Sequence, residues 1–138
     1  CRACQTSKEY ACVIPDEATP ILTRMADVDV IVMATPLYFF SSSAQLKLIM
    51  DRMFCLYKWD NSANTMTTPL KGKTLILLAS AYEDIGLDAL EKPFSLTADY
   101  TGMTFKSLLV PDAGESGEIK KIPGIREKAT AFGWAAAG

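Results

Sequence analysis

Thr35-Pro36-Leu37-Tyr38-Phe39-Phe40-Ser41 places three consecutive aromatic side chains, next to a stiffening proline, in a segment that should be a polar connection. A loop of this composition suits a flat conjugated ligand, since aromatic faces stack on planar rings. The other reading of Tyr38, Phe39 and Phe40 is a hydrophobic plug between loop and core. Ser80-Ala81-Tyr82-Glu83 combines small polar and aromatic residues at the next strand end, so the two segments are expected to converge on one ring site. The chain contains no histidine. That removes Ser-His-Asp and Cys-His catalysis and the common imidazole metal sites, leaving the chemistry to something bound. No catalytic side chain and no metal ligand are assigned. Cys1, Cys4 and Cys12 cluster near the start without a nearby histidine, which disfavours a tetrahedral zinc site. They read as free thiols, or with Cys1 and Cys4 as a redox pair. Cys55 reads as a packing residue. Asp84, Asp88, Asp112 and Glu115 fall in strand-end loops where a magnesium-binding or phosphoryl-accepting carboxylate would sit, but solvated loop carboxylates are commoner.

These segments need a scaffold. Val28, Val30, Ile31, Val32 and Met33 form an apolar, β-branched run that predicts a strand covered on both faces and ended by Pro36. Ser42 and Gln45 have the spacing of a capping box, so a helix should open near Ser43. In it Leu46, Ile49, Met50, Met53, Phe54 and Tyr57 form one apolar face, with Lys47 and Asp51 paired on the wet side and Leu48 and Cys55 on the non-core face. Lys73 to Ser80 and Thr104 to Val110 are two further strands. The helix between them should turn Leu87, Leu90, Phe94 and Tyr100 inward, with Pro93 kinking it or marking its first regular turn and Gly102 capping it. A last helix opening at Pro123 should bury Ile125, Ala129 and Phe132, and an earlier one should cover Glu17 to Met25. Lys58 to Lys71 reads as a long polar surface loop around Asn61-Ser62-Ala63-Asn64, and Trp134 to Gly138 as a frayed or appended tail. Strand and helix in alternation mean an α/β fold with a parallel sheet, whose ligands sit at the carboxyl ends of the strands.

At 138 residues the chain is one domain, and 49% hydrophobic with 22% charged residues is ordinary for a soluble globular protein. A net charge of −2 with scattered Lys and Arg argues against a nucleic-acid or anionic-membrane surface. No apolar run approaches the ~20 residues that span a bilayer.

From Cys1 to about Gly133 the sequence resembles the NADPH-dependent FMN reductase branch of the flavodoxin-like superfamily. Five motifs carry the likeness in order. They are Cys1-x-x-Cys4 through Cys12, the turn Pro36-Leu37-Tyr38-Phe39, the helix Ser-x-Gln-Leu-Lys-x-x-x-Asp-Arg at Ser43 to Arg52, and the weaker Tyr100 to Met103 and Gly114 to Ile119. The resemblance implies a flavodoxin-like, doubly wound parallel sheet with FMN as cofactor and NADPH or NADH as co-substrate. It implies that Thr35, Pro36, Leu37, Tyr38, Phe39, Phe40 and Ser41 line the flavin ring, with Ser80, Ala81, Tyr82 and Glu83 as the opposite wall. It further implies an FMN-dependent oxidoreductase passing hydride or electrons from NAD(P)H to a small acceptor such as a flavin or quinone, in a cytoplasmic homodimer or higher homo-oligomer. The alternatives are a non-catalytic flavodoxin-like module that has lost its cofactor, and an electron carrier like the iron–sulfur flavoproteins.

Two departures accompany the likeness. Such a domain normally opens with a strand, a phosphate-wrapping loop, a helix and a second strand, a unit of ~30 residues or more. We expect three strands here with that N-terminal β-α-β unit missing, residues 1–138 being one incomplete domain whose Val28 to Ala34 strand is a bare apolar edge. The second departure is Ser7, which stands where related iron–sulfur proteins carry a third cysteine, whereas a four-iron cluster wants four thiolates.

Overall fold

The computed structural model describes residues 1–7 and 9–137. Three parallel strands form its centre: β1 (Val30–Pro36), β4 (Thr74–Ser80) and β5 (Thr104–Val110), in the order β1-β4-β5. Val30 pairs with Thr74 and Pro36 with Ser80, and the same register continues from Thr74 to Thr104 and from Ser80 to Val110. Four helices accompany them: α1 (Ala18–Met25), α2 (Ala44–Arg52), α3 (Leu87–Thr101) and α4 (Ile125–Ala137). Among the described residues no helix is long and apolar enough to cross a membrane.

Alternation along β1 divides the sheet's two faces. Ile31, Met33 and Thr35 are buried, while Val30, Val32, Ala34 and Pro36 between them are exposed. The buried set joins Leu75, Leu77 and Ala79 of β4 in one core with Leu22 and Met25 of α1, Met53, and Leu87, Leu90, Phe94 and Ala98 of α3. Three helices thus cover one face of the sheet. On the other face α4 faces Val30, Val32, Ile76, Leu78 and Leu108 across a cavity of about 340 Å³. The expected strand covered on both faces is therefore corrected. One face of β1 is open because α4 stands off from it, and β1 is the edge of its sheet, as expected.

Several local expectations also change. Ser43, not Ser42, caps α2, its hydroxyl accepting from the Leu46 amide at 3.3 Å, so the Ser42/Gln45 capping box is not formed. Met53 to Leu56 leave α2 as a separate 3₁₀ turn, which rotates Cys55 inward to 2% exposure and leaves Leu48, half exposed, on the outer face. Tyr100 points to solvent and the helix instead buries Thr101, whose hydroxyl donates to the Thr97 carbonyl at 2.7 Å. Pro93 lies inside α3, and Gly102, at φ 70°, ends it. The long loop contains a short hairpin, β2 (Lys58–Asp60) with β3 (Thr65–Thr67). In α4 Ile125 and Phe132 are half-buried and Ala129 is exposed. The supposed tail is helical through Ala137, with Ala136 buried and the Ala135 carbonyl accepting from Lys106 Nζ; Gly138 lies outside the described residues.

Candidate functional site

Parallel register brings the two sequence-selected loops together, because Pro36 and Ser80 are paired neighbours and their chains leave the sheet at the same edge. The Leu37 amide donates to the Ser80 carbonyl at 2.8 Å, extending the ladder by one rung. Thr35, buried at the strand end, braces the aromatic loop: its hydroxyl accepts from the Ser43 amide at 2.9 Å and donates to the Pro36 carbonyl at 2.8 Å. Both ends of that loop are therefore held by one side chain.

Between these anchors the chain makes a tight turn. Tyr38 and Ser41 exchange backbone hydrogen bonds at 2.9 and 3.0 Å, and the two residues between them, Phe39 and Phe40, have φ of 45° and 62°. Two positive φ values in a two-residue turn match the type I′ pattern, which favours Asn-Gly. Bulky residues in this conformation are strained, and strain of this kind concentrates at ligand sites. Phe39 is 98% exposed at the tip, so nothing within the chain compensates its strain by burial.

Leu37, Phe39, Phe40, Tyr82, Glu83 and Ile85 line a cleft of about 450 Å³ at this edge. Thr35, Pro36 and Ser80 line a neighbouring cavity of about 470 Å³ that runs beneath the loops to Val110, Ile119 and Ile125. Volumes of this size accommodate a planar cofactor ring. Tyr38 and Ser41 form the base of the turn and are not among the cleft walls. Ala81 is buried, its amide donating to the Val110 carbonyl and its carbonyl accepting from the Ala113 amide. The residue pattern alone did not single out Ile85 or Gly86. A glycine just before an apolar helical pattern was the available signal for Gly86, which precedes α3 with φ 80°.

Residues 2–108 match the NADPH-dependent FMN reductase family. The chain belongs to that family. It is also 43% identical over 53 residues to an iron–sulfur flavoprotein of Methanocaldococcus jannaschii, a stretch covering 38% of this chain and 28% of that protein. Among solved structures, the NADPH-quinone reductase of P. pentosaceus matches with a TM-score of 0.60 at 20% identity, covering 91% of this chain and 77% of the other. General stress protein 14 of Treponema denticola, solved in complex with FMN, matches with a TM-score of 0.59 at 18% identity, covering 86% and 73%. At such identities the structural likeness concerns the flavodoxin-like fold.

The cysteines of this FMN reductase family member lie elsewhere, at the other end of α2. Cys1, Cys4, Cys12 and Cys55 all border one small cavity, yet the described residues hold no group of three or more His, Cys, Asp or Glu side chains placed to share a metal ion. Ser7 Oγ, at the position of the missing cysteine, accepts from the Glu9 amide at 3.0 Å. This donor set does not fit a four-iron cluster.

Proposed function

We propose that this chain forms the ring-binding part of an FMN-dependent oxidoreductase that takes reducing equivalents from NAD(P)H and delivers them to a small acceptor such as a flavin or quinone. The observation that carries this reading is the strained, Thr35-braced Phe39-Phe40 turn facing Tyr82 and Ile85 across a cleft at the carboxyl edge of a parallel sheet. FMN, when bound, supplies the hydride and electron chemistry. The protein's part is to hold the ring and keep water from it. Phe39, Phe40, Tyr82 and Ile85 supply apolar walls, Thr35 fixes the loop ends, and Glu83 places a carboxylate at the cleft lip. No side chain here is required to carry a proton. Residues Thr35 to Ser41 and Ser80 to Glu83 together are the proposed cofactor-binding set.

Assembly is part of the same reading. The outer face of α2 with Leu48 is the proposed homodimer surface, Cys55 having turned into the core. Sedimentation of the folded chain at micromolar concentration tests it, a strict monomer counting against it.

For the site itself, FMN titrated against the chain should lose ring fluorescence, and Phe39→Ala should weaken binding about 5- to 30-fold, equivalent to about 1–2 kcal/mol for one aromatic contact. A folded chain that binds no FMN at millimolar ligand would overturn the reading.

A further inference from the structure

The nine residues of α2 carry the chain about 13 Å from the aromatic cleft to a second, unrelated cavity. This one is about 150 Å³, too small for a planar cofactor, and its borders include Cys1, Cys4, Cys12 and Cys55 together with the charged Asp51 and Arg52. Those are all four cysteines of the sequence, and all four are free thiols. Cys4 and Cys55 are buried, Cys1 is exposed, and Cys12 lies between, partly open to solvent.

A cation is fixed beside Cys12. Arg52 Nη1 donates to Asp16 Oδ2 at 2.6 Å, while Nη2 donates to Thr19 Oγ1 at 3.1 Å and to the Ile14 carbonyl at 3.4 Å. Its Nε is buried with no partner. The guanidinium is held by three groups of the Cys12 to Thr19 segment and borders the same small cavity as Cys12. Burial and, more weakly, the Asp16 carboxylate push the Cys12 thiol up, but the Ile14 backbone and the Arg52 cation outweigh them and hold the thiol below its ordinary value. Burial pushes Cys55 the other way, up to about 11, with Cys12 and Cys4 adding to it. Cys12 is set apart as the nucleophile because it opens the segment whose Ile14, Asp16 and Thr19 hold Arg52, and because it is partly open to solvent where Cys4 and Cys55 are buried.

We propose that Cys12 is a hydroperoxide-reactive thiol that Arg52 activates and Cys4 resolves. The Cys12 thiolate attacks one peroxide oxygen, an S–O bond forms as the O–O bond breaks, and the departing alkoxide or hydroxide takes a proton from water. Cys12 becomes a sulfenic acid, oxidised by two electrons, while the peroxide is reduced to an alcohol or water. The Cys4 sulfur then attacks the Cys12 sulfur, an S–S bond forms, and the hydroxyl leaves with the Cys4 proton as water. The sum is two thiols and a hydroperoxide giving a disulfide, an alcohol and water. Cys4 is the resolving thiol because it borders the same cavity from the four-residue turn Ala3–Thr6 and, though part of the same buried core, is less deeply buried than Cys55, at 6% exposure against 2%. This inference does not rest on the flavin reading.

The test treats the reduced 138-residue chain with substoichiometric hydrogen peroxide, with and without dimedone, and maps the products by peptide mass spectrometry. A Cys4–Cys12 disulfide in the unmodified chain and a dimedone adduct on Cys12 in Cys4→Ser are the expected results. Arg52→Gln should slow Cys12 oxidation at pH 7 by about tenfold or more and move its pH profile upward. If Arg52→Gln loses the circular dichroism of the parent, Cys12→Ser decides alone, and it should abolish disulfide formation. First modification at another cysteine, a Cys12–Cys55 link, or an unchanged rate in a folded Arg52→Gln would each overturn the proposal. So would chain isolated with iron and acid-labile sulfide that shield its thiols.

Discussion

The ring of Phe40 lies directly over the Cα of Gly86, where a Cβ built on the glycine would stand 2.2 Å from Phe40 Cδ1. Tyr82 and Gly114 repeat the arrangement, at 2.1 Å from Tyr82 Cδ2. Phe40 and Tyr82 thus each rest on a glycine of the next loop, coupling the connections after β1, β4 and β5 into one edge.

Gly86→Ala should therefore cost more than its backbone alone. Gly117 has nearly the same φ, 82° against 80°, but open space where a Cβ would go, so Gly117→Ala measures the strain by itself. We expect about 1 kcal/mol from Gly117→Ala and about 2–3 kcal/mol from Gly86→Ala in urea unfolding. Only the second should weaken FMN binding. Equal losses in the two variants would show that the ring simply moves aside.

Phe39→Asn should stabilise the fold while impairing the site. Phe39 buries almost nothing and holds φ at 45°, a conformation that Asn tolerates far better. A gain of about 0.5–1 kcal/mol in the unfolding free energy is expected, together with weaker FMN binding. A lower unfolding midpoint would mean that Phe39 has native contacts stronger than its exposure suggests.

Alkaline pH should destabilise the chain through Cys55. Its folded pKa, about 11, lies above the ordinary thiol value of 9.0, so the folded state prefers the neutral thiol. The corresponding stability is fully present below pH about 9 and is lost as pH rises toward 11, amounting to roughly 2 kcal/mol at most. Cys55→Ala should flatten that part of the stability profile. A profile unchanged between pH 8.5 and 11 by the substitution would refute the assignment.

The free edge of β1 and its open face should make the chain self-associate. Val32 is 54% exposed on that strand, and unpaired strand edges template intermolecular pairing. Val32→Lys should suppress concentration-dependent light scattering, whereas Leu48→Lys should act only on the proposed α2 dimer. Identical behaviour of the two variants would leave no role for the edge.

The 138-residue chain by itself should bind FMN weakly. Charge-assisted hydrogen bonds to a phosphate contribute ~1.5–3 kcal/mol each, and among the described residues the cleft is walled by aromatic and aliphatic groups, with Glu83 its only charge. Riboflavin and FMN should then bind with affinities within about tenfold of each other. A strong preference for FMN would reveal a phosphate site on this chain that the proposed cleft does not include.

Strand and helix positions were legible in the sequence because they depend on near neighbours. The apolar runs at Ile31 and Leu75 and the stop at Gly102 each report local backbone preference, and the three strands of the parallel sheet begin within two residues of the expected places, whereas the β2–β3 hairpin was not foreseen. The aromatic run at Tyr38 to Phe40 likewise marked its loop before any neighbour was known. What surrounds a residue at long range was not legible. Whether β1 would be covered on its second face depended on how far α4 stands off, and α4 is about 90 residues away in sequence. The inward turn of Cys55 came from a change of pitch after Arg52, which an unbroken 3.6-residue periodicity could not foresee. Only the folded chain brings Cys55 to Cys12 and Gly86 beneath Phe40, because contacts between distant segments are set by sheet register and helix packing and leave no mark on the local residue pattern.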